Sequence, residues 1–167
     1  RQTKVKLGTT TLSLQTEGGT VDVGGGGLIL SIDPLSQVVS PGDTFTVAVK
    51  VEAEGQELDS VQAFLDYDAT YIEAVSVSGG GTLQEAYQDV STPGEVDYAA
   101  VDLTGAVSGT FTLATVTFQA KAAPVAETDL TFHTASPRQT KVKLGTTTLS
   151  LTTQGGTVTI GNAPYLE

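Results

Sequence analysis

Apolar and polar side chains alternate one for one along most of the chain, in short runs broken by Gly, Pro and Asp. A period of two puts successive side chains on opposite faces of an extended backbone, so the predicted elements are strands. Leu28–Ile32 is one, closed by Asp33 and Pro34. After a turn at Pro41-Gly42-Asp43, residues 44–51 line Phe45, Val47, Val49 and Val51 along one face. Residues 60–67 place Val61, Ala63, Leu65 and Tyr67 on one face and Ser60, Gln62, Phe64 and Asp66 on the other. Further strands are expected over 71–77, 95–103, 111–120, 130–132, 141–144, 148–151 and 157–160. Residues 52–59 and 105–109 read as loops, and residues 83–89 as either an edge strand or a loop. No stretch carries a helical period. About nine short strands, with turn signals every ~8–12 residues, predict an all-β fold built as a two-sheet sandwich.

The pattern also repeats. Residues 1–23 and 138–160 are identical except at Gln15/Thr152, Glu17/Gln154, Asp22/Thr159 and Val23/Ile160. The period of 137 residues suits a whole domain rather than a solenoid repeat. The expected organisation is the tail of a preceding module (1–23), a glycine linker (24–27), one complete sandwich (28–160) and a patternless tail (161–167). On this reading any upstream modules or signal peptide lie before Arg1. A sandwich needs one closing segment, and this chain carries two. The spare would have to pair its backbone elsewhere, by adding to an exposed edge or by strand exchange with a neighbouring copy. Lys4, Val5, Lys6, Leu7, Leu12, Leu14, Val21 and Val23 are the residues expected to donate. The outcome would be a homo-oligomer, in the extreme a structural filament or sheath.

Composition narrows the chemistry. The net charge is −11, and six of the eight cations lie in the two copies. An acidic body argues against nucleic acid and anionic lipid as partners. No stretch is long and apolar enough for membrane insertion. There is no Cys, and His133 is the one histidine, so neither a His-based triad nor a thiolate or His-rich metal site can be assembled. An enzyme is not expected. Calcium is the best metal candidate, with Asp66 and Asp68 able to supply oxygen ligands, but no ordered calcium-loop pattern is present. No cofactor is expected otherwise. Glycan binding is a weaker alternative, because the chain has no Trp for a flat exposed platform.

Six short motifs in order then resemble the cohesin domain family. They are Leu30-Ser-Ile-Asp-Pro34, Val39-Ser-Pro-Gly-Asp43, Asp59-Ser-Val-Gln-Ala-Phe-Leu-Asp-Tyr-Asp68, Tyr71-Ile-Glu-Ala-Val-Ser-Val77, Gly109-Thr-Phe-Thr-Leu-Ala-Thr-Val-Thr-Phe118 and Gly155-Gly-Thr-Val-Thr-Ile160. The resemblance spans residues 28–160. It implies a nine-stranded jelly-roll sandwich. It also implies a non-catalytic, extracellular or cell-surface role, in which one flat sheet face binds a dockerin-like helical module. The strands matching that face carry Ser60, Gln62, Phe64 and Asp66 on one, and Tyr98, Ala100 and Asp102 on the next. Members of the family often have Asn and Asp where this chain has Ser60 and Gln62.

Overall fold

The computed structural model describes residues 4–7, 10–13, 27–121 and 126–161, the first two stretches as backbone. Every regular element among them is a strand. Lys4–Leu7 (β1) and Thr10–Ser13 (β2) pair antiparallel with one another. The sandwich comprises Leu28–Asp33 (β3), Ser36–Val39 (β4), Thr44–Leu58 (β5), Ser60–Asp66 (β6), Ile72–Gly79 (β7), Gln84–Asp89 (β8), Glu95–Val101 (β9), Val107–Ala120 (β10), Ala126–Phe132 (β11), Lys141–Leu144 (β12), Thr147–Thr148 (β13), Leu151–Gln154 (β14) and Gly156–Ile160 (β15).

The smaller sheet runs β14-β3-β5-β10-β7. The larger runs β13-β12-β6-β11-β15-β4, with β9 on the other side of β6 and β8 beyond it. Thirteen segments reduce to nine strands because several are one strand interrupted. The chain entering at β3 crosses to the larger sheet as β4, broken at Pro34, whose ring has no N–H to give a ladder. The closing strand does the same, β14 lying parallel to β3 and β15 parallel to β4. β11 and β12 lie in line along β6, and the two-residue β13 folds back on β12.

The predicted alternation sets the core. Phe45, Val47, Val49 and Val51 from the smaller sheet meet Val61, Ala63, Leu65 and Tyr67 from the larger, all buried. Phe118 stacks on Phe45 at 5.6 Å between centroids and takes the edge of Tyr67 at 5.3 Å. Residues 52–58 are strand rather than loop. Their carboxylates point to solvent while Ala53 and Leu58 stay in the core, and Ala53 and Leu58 pair with Gly109 and Val107 of β10. Residues 107–109, also expected as loop, are thereby drawn into β10. β8 is an edge strand, and β4 is an element the apolar pattern did not announce.

One polar atom sits badly in this core. The Tyr98 hydroxyl is buried against Gly79 and has no hydrogen-bond partner. Burial, then the nearby Glu85 carboxylate, push its pKa up. Removing an unsatisfied buried hydroxyl relieves a desolvation cost. Tyr98→Phe is therefore expected to stabilise the fold by about 1 kcal/mol, read from the midpoint of urea unfolding.

A flat face with a clamped end

The outward face of the larger sheet forms a regular grid, because residues opposite one another on paired strands share a face. One row reads Tyr87, Ala99, Gln62, Lys141 across β8, β9, β6 and β12. The next reads Gln84, Val101, Ser60, Lys143. The third brings Asp89, Asp97 and Phe64 into line, and the fourth Glu95, Asp66 and Thr131. The first two rows border a shallow depression around Gln62, Ala99 and Tyr87.

The far end is closed by an excursion. Between β11 and β12 the chain leaves the sheet at His133 and returns at Thr140. Thr140 repairs the interruption: its backbone N–H donates to the His133 carbonyl at 2.8 Å. Its hydroxyl takes the Phe64 N–H at 3.0 Å and donates to the Phe64 carbonyl at 3.1 Å. Arg138, at the tip, folds down over the face. Its Nε donates to Asp97 at 2.5 Å, one terminal nitrogen donates to Asp66, and the other donates to the Leu65 carbonyl at 2.6 Å. Glu95 adds a looser ion pair at 3.5 Å. His133 Nδ1 lies 2.6 Å from the second Asp66 oxygen. Burial alone would lower the pKa of the guanidinium, but its hydrogen bonds to Asp66 and Asp97 and their charge outweigh it and raise it.

This geometry sorts the residues expected from the sequence. Ser60, Gln62, Phe64 and Asp66 all lie on the outward face of β6. Phe64 is half-buried beneath Arg138, whose guanidinium carbon is 5.7 Å from the ring centroid, so it is a floor for the clamp rather than an open anchor. Tyr98 and Ala100 are a correction: both are buried in the core, and the outward side chains of β9 are Asp97, Ala99 and Val101. The register decides this, since Tyr98 pairs with the inward Ala63. Asp102 stands just past β9, where its carboxylate takes the N–H and hydroxyl of Thr104, both at 2.7 Å. The hydroxyl bond and then the backbone bond lower its pKa. Asp66 is engaged by Arg138, and Asp68 takes the Thr70 N–H at 2.8 Å. Among the described residues no three His, Cys, Asp or Glu gather in a metal-holding group. Of the residues expected to donate, Lys4, Val5, Lys6, Leu7 and Leu12 lie in β1 and β2, and Leu14, Val21 and Val23 lie outside the described residues.

Among the members of the face not picked out from the sequence are Tyr87, Lys141 and Lys143. Among the described residues Lys50 pairs with Asp33, Lys121 lies 3.9 Å from Glu73, and Arg138 has its cluster. Lys141 and Lys143 make no ion pair there, and both stand on the grid. In a chain of net charge −11 the clustering of cations in the two copies is readable from the sequence, while their place on this face is not.

Comparison with known proteins gives the fold its relatives. The sixth cohesin of scaffoldin B from Acetivibrio cellulolyticus, solved in complex with a mutant Cel5 dockerin, is 21% identical, covers 81% of this chain and 99% of its own, and superposes with a TM-score of 0.67. CaCohA2 from Clostridium acetobutylicum is 22% identical over 83% of this chain and 94% of its own, with a TM-score of 0.69. A non-cellulosomal cohesin from the hyperthermophilic archaeon Archaeoglobus fulgidus is 19% identical over 81% and 90%, with a TM-score of 0.62. Among curated proteins there is no match. The sequence pattern described as the Cohesin domain matches residues 30–160, the whole sandwich but for its first two residues, and the chain belongs to the cohesin family.

Proposed function

We propose that this chain is a docking module that holds a dockerin-type helical partner against the grid of β8, β9, β6 and β12. It works by binding and not by catalysis, outside the cell or at its surface, as one of a tandem series of modules. The observation that carries the reading is the face itself: flat, with the small Ser60 and Ala99 beside Gln62 at its centre, and flanked by the exposed ring of Tyr87 and by Lys141 and Lys143, which make no ion pair among the described residues. A flat surface of this kind suits a helix laid across it. Related cohesins crystallise with dockerins, among them CaCohA2 with CaDoc0917. The duplicated closing segment supports the tandem arrangement.

The two lysines state what the partner must offer. Their charges stand out against an acidic body, so a helix presenting Asp or Glu opposite them would be held and oriented there, whereas a basic helix would be repelled at the two lysines and drawn instead to the acidic surface around them. A panel of dockerin modules, differing in the charge of the contacting helix, tests this by calorimetry. At least one acidic member is expected to bind 1:1 with micromolar or tighter affinity. The double variant Lys141→Glu, Lys143→Glu should then weaken binding about 10–100-fold, and Gln62→Arg should weaken it by steric block at the centre. Binding that survives both changes would place the partner elsewhere.

A further inference from the structure

The first copy of the closing segment keeps everything its seat requires. In the folded module, residues 138–160 bury Thr140, Val142, Gly156, Val158 and Ile160. The four positions at which the copies differ avoid this set almost entirely. Thr152 and Gln154 are exposed, Thr159 is half-buried beside Glu127, and Ile160 is replaced by Val, which is smaller by one methylene. The hairpin is kept as well. Lys143 pairs with Thr148 and Leu144 with Thr147, and at the equivalent positions β1 and β2 pair Lys6 with Thr11 and Leu7 with Thr10. Yet β1 pairs only with β2 among the described residues, while β12 is also bonded to β6.

Chain length decides where such a segment could sit. The seat runs from Leu151, beside Leu28, to Ile160, beside Val39. Those ends are nine residues apart, roughly 30 Å of strand. If residues 1–23 occupied the seat of their own module, Val23 would stand at the position of Ile160. The chain would then have to return to Leu28 in five residue steps, at most about 18 Å. It cannot reach. In a second copy the constraint vanishes, because the chain need not return to the module whose seat it fills.

We infer that residues 1–23 are a second closing segment that fits the seat of another copy of this chain, joining copies head to tail by strand exchange. The contact is heterologous, so it propagates into chains or rings. It reproduces, without a covalent bond, the succession of closing strand, glycine linker and next module that a tandem array would have. The resident segment holds the advantage: it is tethered to its seat, and the first copy is a roughly tenfold weaker occupant through the lost Ile160 methylene and an Asp22 carboxylate facing Glu127. Exchange therefore becomes dominant when the resident is weakened.

The experiment handicaps each copy in turn in the full-length chain. Val158→Asp puts a charge at a buried position of the resident segment. That variant is expected to at least double its weight-average mass by light scattering at about 100 µM, with its β circular dichroism retained. Adding Val21→Asp removes the intact donor and should return the mass to that of a monomer. A synthetic peptide of residues 1–23 should then bind this double variant 1:1. A Val158→Asp chain that stays monomeric, folded or unfolded, overturns the inference. So do oligomers that persist when Val21→Asp is added, since they form without the donor, and so does a peptide that fails to bind.

Discussion

Arg138→Met is expected to lower the stability of the sandwich by about 3 kcal/mol, taking the melting temperature down by roughly 10 °C. Methionine keeps the length and apolar bulk of the stem, so the loss isolates the guanidinium. Three acceptors depend on that group: Asp97, Asp66 and the Leu65 carbonyl. Removing one partner of a buried pair leaves the others uncompensated, which is why the cost exceeds that of an exposed salt bridge. Arg138 and Asp97 are well shielded, while Asp66 is 39% exposed, so the figure stands at the low end of the range for buried pairs. Arg138→Lys should recover only part of it. A single ammonium cannot span two carboxylates and a carbonyl, as a planar fork of donors does. Urea unfolding of the three chains measures both numbers. A cost under 1 kcal/mol for Met would mean that the cluster behaves as ordinary surface charge.

The same residue marks the line between what the sequence discloses and what it hides. Alternation in residues 44–51 and 60–67 fixed both the strands and their buried faces, because each has one plainly apolar side. Residues 95–101 were harder. Val96, Tyr98 and Ala100 are apolar, but the opposite face offers Ala99 and Val101 beside Asp97, so neither side reads as polar throughout. The pairing of Tyr98 with Ala63 settles the matter, and that is a contact between strands far apart in sequence. The strand nature of residues 52–58 was masked in another way. Their carboxylates belong to the solvent face of a long strand, and the only buried apolar side chains among them are Ala53 and Leu58. Arg138 left no local trace at all. Its partners lie 41 and 72 residues away, and they meet only because the excursion after β11 folds back across β6 and β9. The flat face was therefore half legible: the β6 side chains could be named, while Tyr87, Lys141 and Lys143 needed the register.

The duplication permits a test in which one substitution is made twice in the same local sequence. Gly155 lies between β14 and β15, where the closing strand crosses from one sheet to the other. A Cβ there would press on the Leu130 carbonyl oxygen, with the Leu130 carbonyl carbon 3.5 Å and the Thr131 Cα 3.6 Å away. These are backbone atoms of β11, the strand to which β15 is bonded, so no side chain can swing aside to make room. Gly155→Ala must push β15 off its neighbour, and a cost of about 3 kcal/mol is expected, at the upper end for overpacking. Gly18 occupies the corresponding place in the first copy, with Gly19 after it just as Gly156 follows Gly155. The seat is filled by residues 138–160, so Gly18→Ala should change stability by less than about 0.5 kcal/mol. Chemical denaturation at low protein concentration, where exchange between copies is negligible, compares the two directly. Equal losses would mean that both copies contribute to the same fold. A larger loss at Gly18 would mean that the first copy, and not the second, is the strand that completes the sandwich.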